Sequence, residues 1–420
     1  MPFELLIGLR YLKAKRRSTF ISIITFISTA GVALGVMALI VVLAVMTGFE
    51  EDLKEKILGT NAHIVVIRNG GPMEEHRAVI EKLKGFKGVQ AATPFIYNQV
   101  MLSSGKNVSG VVLRGIDVAS DKQVTRLSSS IVEGSIDDLD PTMGSGADTT
   151  PGLMVGKELA KHLNLFLGDK VNVISPMGNI TPLGMMPRMK PFRVTGIFNT
   201  GMFEYDSTLA YVSLNQAQRF FDLGDTVTGI QLKVEDVYHT DELARSINRE
   251  MGVNFYARDW MQMNKNILFA LKTEKVVMFI ILTLIVLVAA FGIASTLFMV
   301  VMEKNRDIAI LKSMGATAAS IMKIFVLEGL IIGIIGTLLG VASGLLVALN
   351  LEHVINVIQK ITGQNFFSKD IYYLDRFPSL VVPSDVLLIS VTAILISFLA
   401  TLYPAWQASR MLPAEALRYE

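Results

Sequence analysis

Four apolar runs stand at the two ends of the chain, at positions 20–47, 276–302, 324–351 and 386–403. The first holds no charged residue over 28 positions. A helix rises 1.5 Å per residue, so roughly 20 apolar residues cross a 30 Å hydrocarbon core, and every run but the last has length to spare. The one-then-three spacing hangs the polar stretch after the first run as a folded domain on one side of a membrane. Helical patterning continues past that first run. Phe49, Leu53 and Ile57 recur at i, i+4, i+8, Glu50/Lys54 and Asp52/Lys56 are acid-first pairs, and Gly59 is placed to end the helix. A helix over 20–58 is about 58 Å long, so roughly five turns project beyond the bilayer. Positions 261–275 read as a matching stalk entering the second span, with Ile267, Leu268 and Leu271 on one face.

Between the stalks the pattern predicts an α+β head. Strands are expected at 62–67, 109–115, 152–156, 170–175, 192–198, 209–213 and 228–234, and helices at 73–84, 156–164, 214–222 and 240–251. The Gly/Ser/Asp-rich stretch 134–152 reads as a loop or seam. Outside the head, 3–17 reads as an amphipathic helix at the membrane surface, and 303–322 as a short link whose Ile308, Leu311 and Met314 form one helical stripe closed by Gly315. The boundaries expected are therefore 1–19 for the surface helix, 20–58 for the first span and stalk, 59–260 for the head and 261–302 for the second stalk and span. The link at 303–322, a third span at 323–351, a smaller outer loop at 352–383, a fourth span at 384–404 and a tail at 405–420 follow.

Charge orients this arrangement. Arg10, Lys13, Lys15, Arg16 and Arg17 precede the first run, Lys304, Arg306, Lys312 and Lys323 lie between the second and third, and Arg410 and Arg418 follow the fourth. The positive-inside rule puts all three segments in the cytoplasm, consistently over four crossings. A hydrophobic share of 51% and a mean hydropathy of +0.47 are high for a soluble chain, while 18% charged residues suffice for one extramembrane domain. The net charge of +2 does not point to nucleic acid. The first run is too long for a signal-peptide core and is expected to stay as an anchor. With no cysteine, disulfide and thiol chemistry are excluded.

Several features have a bland and a sharp reading. Gly329/Gly333, Gly336/Gly340/Gly344 and Gly31/Gly35 are spaced by four, which lets helix backbones approach. Packing within the subunit is favoured over a dimer seam. Glu328 is the one acid well inside an apolar run, and a contact with the link is favoured over a proton relay. The link stripe reads equally as a solvated turn or as a face for a partner's groove. Positions 175–191 hold Pro176, Pro182, Pro187 and Pro191 with Met177, Met185, Met186 and Met189; prolines disfavour helix and sheet, and the loop is either an idle tip or an adaptable apolar contact. Phe366, Phe367, Tyr372, Tyr373 and Phe377 are expected to form an interfacial belt. The five histidines show no ligand spacing, and Gly152-x-x-x-Gly156-Lys157-Glu158 has the wrong spacer for a phosphate loop and lacks its Ser/Thr. No catalytic, cofactor or metal residues are assigned.

The string Met302-Glu303-Lys304-Asn305-Arg306-Asp307-Ile308-Ala309-Ile310-Leu311-Lys312-Ser313-Met314-Gly315-Ala316, with Glu328-Gly329, resembles the FtsX/MacB superfamily of ABC-transporter permeases. So do Tyr403-Pro404-Ala405-Trp406-Gln407-Ala408-Ser409-Arg410 and Pro413-Ala414-Glu415-Ala416-Leu417-Arg418. Gly8-Leu9-Arg10-Tyr11-Leu12, Gly35-Val36-Met37-Ala38-Leu39 and Val45-Met46-Thr47-Gly48-Phe49-Glu50 narrow the resemblance to the lipoprotein-releasing LolC/LolE family. Arg114-Gly115-Ile116-Asp117, Thr195-Gly196-Ile197-Phe198 and Tyr205-Asp206-Ser207 fit it too.

The resemblance implies an α-helical inner-membrane protein with four transmembrane helices and a large α+β periplasmic domain of porter-like and sabre subdomains, both termini cytoplasmic. It implies a permease that extracts lipoproteins and hands them to the periplasmic chaperone LolA, working with a second permease, LolE-like or identical, and a LolD-type ATPase dimer that alone holds ATP and Mg. On that reading Glu303, Arg306, Asp307, Ile308, Leu311 and Met314 couple to the ATPase. Pro182, Leu183, Gly184, Met185, Met186 and Pro187 resemble the chaperone-capturing hook of the LolC branch. Met46, Phe49, Leu53, Ile267, Phe269, Leu271, Met278 and Phe279 line the lipoprotein cavity, or else pack stalk against stalk. The alternative function is another superfamily role, MacB-type efflux or FtsX-type transmission to cell-wall hydrolases.

Overall fold

The computed structural model describes residues 19–140, 150–181, 184–363 and 378–411. The surface helix expected at 3–17, the aromatic set Phe366–Phe377, the hook positions Pro182 and Leu183, and the Pro413–Arg418 signature lie outside the described residues. The chain separates into two compact units, one holding the residues up to Asp52 and from Phe269 onward, the other Leu53–Leu268.

Helix α1, Thr19–Thr60, is unbroken through both stretches that the pattern joined. The head then follows as β1 (Ile64–Arg68), α2 (His76–Lys84), β2 (Val89–Ser104), β3 (Asn107–Ile116), α3 (Val118–Val124), β4 (Ile131–Gly134) and β5 (Gly152–Gly156). Next come α4 (Lys157–Leu163), β6 (Lys170–Thr181), β7 (Gly184–Phe198), α5 (Phe203–Thr208), β8 (Leu209–Ser213), α6 (Leu214–Phe221), β9 (Gly229–Val234), α7 (Thr240–Met251), β10 (Phe255–Asp259) and the single turn α8 (Trp260–Met263). The strands make one sheet in the order β10-β1-β9-β2-β3-β8-β5-β7-β4, with β6 pairing to β2 and β7. β3–β8 and β5–β7 are parallel and the rest antiparallel.

The centre of this sheet is covered on both faces. Along β8, Ala210 and Val212 enter the main core with Leu153, Val155 and Leu113, while the alternate residues Leu209 and Tyr211 enter a second cluster with Met154, Phe198 and Ile116. A strand buried on both sides needs a continuous apolar run, as LAYVS supplies. The 16-residue strand β2 was not anticipated, because Pro94, Asn98 and Gln99 interrupt its alternation. Arg114 is buried there because its guanidinium lies 6.0 Å from the Phe95 ring and 5.8 Å from that of Tyr211.

The membrane-helix unit comprises α1, α9 (Lys265–Glu303), α10 (Asn305–Ser313), α11 (Ala318–Leu349), α12 (Leu351–Thr362) and α13 (Pro383–Ser409). Helices α1, α9, α11 and α13 are long and apolar enough to cross a membrane. α13 continues past the end expected at 404, through the buried Pro404. The glycines explain how these helices meet. A Cβ on Gly340 would lie 2.7 Å from the Ala33 carbonyl oxygen and from Val36 Cβ, and one on Gly344 would lie 3.1 Å from Ile40 Cβ, so this end of the stripe seats α11 on α1. A Cβ on Gly333 would lie 2.6 Å from Ser397 Cβ, and Gly329 abuts Thr401, so the other end seats α11 on α13. Gly35 faces Val286, which joins α1 to α9. One hydroxyl bridge reinforces that joint: Ser28 Oγ and Thr296 Oγ1 stand 2.6 Å apart. The small residues serve packing within the subunit, as favoured above.

Candidate functional site

Three regions carry the predicted functional residues. The first is the hook. Proline content argued for a loop between short strands, whereas the structure has a β-hairpin: β6 and β7 stay paired from Lys170↔Arg193 out to Thr181↔Gly184. The prolines are tolerated because of where they fall. Pro176 and Pro187 sit in the register break between the pairs Ser175↔Arg188 and Asn179↔Met186, and Pro191 precedes the first residue of β7 paired to β5. β2 covers β6 only at Asn172–Ile174, so from Ser175 outward the two strands have only each other. Two residues then hold the arm at its root. Arg188 Nη1 donates to the Phe220 carbonyl at the end of α6 at 3.2 Å, and its Nη2 meets Asp222 Oδ2 at 3.2 Å. Lys190 Nζ donates to Gln216 Oε1 at 3.2 Å and lies over the Phe192 ring; burial pushes its ammonium below its ordinary pKa, with the Arg219 charge acting the same way.

Met186 and Pro187 are exposed on this arm. The registers Met101↔Ile174 and Ile174↔Met189 add a row that sequence reading missed, with Met101 44% and Met189 61% exposed. Beside it opens a hollow of about 450 Å³ bordered by Gln99, Met101, Val112, Pro176 and Thr208. Only cross-strand pairing brings Met101 to Met189, so no local pattern could have found it.

The second region is the link, and here the expected stripe faces inward. Ile308 is 1% exposed and packs with Val300, Ile321, Phe325 and Ala405, and Leu311 is half-buried against the same cluster. Ile308 is thus covered by this chain, while Leu311 keeps part of its side chain exposed. The exposed positions are instead Glu303 at the end of α9, Arg306 and Ile310 on α10, and Met314 at its C-terminal cap, with Ile310 44% and Met314 80% exposed. Asp307 is held by Lys304 at 3.4 Å. α10 stops at Gly315, whose φ of +98° suits a residue without Cβ. Lys312 Nζ donates to the carbonyls of Ser409 at 2.6 Å and Met411 at 2.7 Å, fixing the link to the end of α13. Glu328 is buried in α11, and its Oε2 has no hydrogen-bond partner among the described residues, so the expected contact with the link is not seen.

The third region is the stalk set, whose members divide. In the membrane-helix unit Phe49 and Phe269 are exposed, Met46 and Met278 are half-buried, Leu271 is buried and Phe279 packs against the helix core. Leu271 and Phe279 are therefore packing residues, because their helical faces point inward. In the head, Leu53 is half-buried and Ile267 exposed. Near the same end of the membrane unit Lys275 Nζ meets Asp385 Oδ2 at 3.0 Å and donates to Thr47 Oγ1 at 3.1 Å, tying α9 to α13 and α1.

Among the described residues no three His, Asp or Glu side chains converge as metal ligands. At the Gly156-Lys157 turn the Asp206 backbone fills the space a Cβ would take.

A profile for the MacB-like periplasmic core domain matches residues 25–250, and one for the FtsX-like permease C-terminal region matches 279–413. The chain is 39% identical over 419 residues to the lipoprotein-releasing system transmembrane protein LolC of Xylella fastidiosa, covering 100% of this chain and 99% of that relative. It is 30% identical over 417 residues to LolE of Haemophilus influenzae, covering 98% of each. The solved periplasmic region of MacB from Actinobacillus actinomycetemcomitans is similar at 16% identity with a TM-score of 0.32, covering 51% of this chain and 95% of that one. The protein is thus a transporter permease of the inner membrane with a periplasmic domain. It belongs to the LolC/LolE family of lipoprotein-releasing permeases, within the FtsX/MacB superfamily.

Proposed function

We propose that this permease lifts lipoproteins out of the inner membrane and passes them to a periplasmic LolA-type chaperone, driven by ATP bound and hydrolysed on a separate LolD-type dimer. The observation that carries this reading is the free β6–β7 arm with Met186 and Met189 exposed on it. Unbranched, polarizable methionines suit reversible capture of a partner's apolar surface. The chemistry demands such a relay. A triacylated anchor holds on the order of 45 CH₂ groups at about 0.8 kcal/mol each, so release into water costs tens of kcal/mol. Passing the chains between covered apolar surfaces avoids that cost.

In this mechanism Phe49, Phe269 and the half-buried Met46 and Met278 offer the cargo's acyl chains an apolar surface on the membrane unit. Glu303, Arg306, Ile310 and Met314 seat on the ATPase, and Lys312 carries its movement into α13. A second permease, identical or LolE-like, completes the assembly, with both termini of this chain in the cytoplasm. A photo-crosslinker at Met186 should recover a soluble lipid-carrying chaperone, and depletion should strand outer-membrane lipoproteins in the inner membrane. Recovery of only cell-wall amidases or an outer-membrane channel, or normal lipoprotein sorting after depletion, would reject the proposal.

A further inference from the structure

Between α9 and α13 lies a slot of about 490 Å³, bordered by Leu287, Phe291, Ala294 and Phe298 on one side and Leu399 and Tyr403 on the other. From Leu287 to Phe298 helix α9 advances about 16 Å, close to half of a 30 Å hydrocarbon core. The slot is thus one leaflet long. Ser295 is its one hydroxyl besides that of Tyr403.

Its end nearest the C-terminus of α13 changes character. Phe298 and Tyr403 meet across it with ring centroids 5.5 Å apart, Tyr403 stacks on Trp406 at 6.3 Å, and the Arg410 guanidinium lies 4.2 Å from the Trp406 ring. Tyr, Trp and Arg in succession mark the depth where hydrocarbon gives way to headgroups, and a cation there attracts anionic lipid. An apolar channel one leaflet long with a fixed cation at its wet end matches an amphiphile with a negative head. We propose that this slot holds an acyl chain of an anionic phospholipid whose phosphate sits against Arg410. The inference uses the membrane unit alone and stands apart from the proposed export role.

The test uses the full chain with its copurifying partners, reconstituted with photoactivatable phosphatidylglycerol or phosphatidylethanolamine carrying the same acyl chains. Labelling should map to 287–298 and 396–403 and favour phosphatidylglycerol about fivefold, the factor one surface arginine supplies. Arg410→Glu should bring the ratio to about one, Arg410→Lys should keep it, and Ala294→Phe should reduce total labelling in the slot. Equal labelling by both lipids, a preference unchanged in Arg410→Glu, or crosslinking of the Ala294→Cys variant to a second permease chain would overturn the assignment.

Discussion

Gly340 offers the sharpest test of how the membrane helices are held. Replacing it with alanine adds one carbon that would lie 2.7 Å from the Ala33 carbonyl oxygen and 2.7 Å from Val36 Cβ. Ordinary carbon contacts begin near 3.5 Å, so the shortfall is about 0.8 Å. The atoms in the way belong to the backbone and to a Cβ, which no rotamer change removes, so α1 and α11 must part along their length. Overpacking of this kind costs about 1–3 kcal/mol. Gly344→Ala should cost less, because its nearest neighbour is at 3.1 Å and the shortfall is about 0.4 Å. Ala342→Val, on the exposed side of the same turn, serves as the control. Unfolding in mixed micelles titrated with dodecyl sulfate, followed by tryptophan emission, measures all three. If Gly340→Ala unfolds with the Ala342 control, or weakens subunit association while leaving the chain's own stability intact, the stripe does not seat α11 on α1 and the reasoning fails.

Other expected outcomes test the link, the arm and the head. Ile310→Asp and Met314→Asp should abolish copurification of the ATPase while leaving a folded permease, whereas Ile308→Ala should cost the permease itself about 2–5 kcal/mol in the same unfolding assay. Arg188→Ala removes the bond to the Phe220 carbonyl, a charge-assisted contact worth about 1.5 kcal/mol or more, and should speed amide exchange along 184–190 about tenfold with weaker chaperone capture. His63 is buried and accepts from the Val234 amide at 3.2 Å; burial holds its pKa below the ordinary 6.5. The unfolded chain therefore takes up the proton first, and the head should lose stability as pH falls below 6.5 toward the lowered value, by at most about 1.4 kcal/mol per pH unit. His63→Gln should remove that slope in thermal unfolding, and an unchanged slope would assign it elsewhere.

What the sequence made legible follows from the range of the interaction concerned. Apolar run length, the i, i+4 pattern through Phe49, Leu53 and Ile57, and the four-residue glycine spacing are local and intrinsic to helices, so the unbroken α1 and the closely packed spans could be read directly. Amphipathy of the link was equally visible, but a stripe does not say which neighbour covers it. Ile308 and Leu311 turn inward because Phe325, from the next helix, and Ala405, from far along the chain, present the apolar surface they need. The arm was misread for a related reason. Proline argues against a strand only where the ladder needs its N–H, and the register break that excuses Pro176 and Pro187 exists only once β6 and β7 are paired. The same long-range pairing aligns Met101 with Met189, and the Lys275–Asp385 ion pair joins α9 to α13 across α10, α11 and α12 in sequence. In each case the chemistry lay in plain residues and the position came from a partner element. The exposed arm and the exposed positions of the link, the two surfaces proposed to meet other proteins, are therefore defined by what the rest of the chain has already covered.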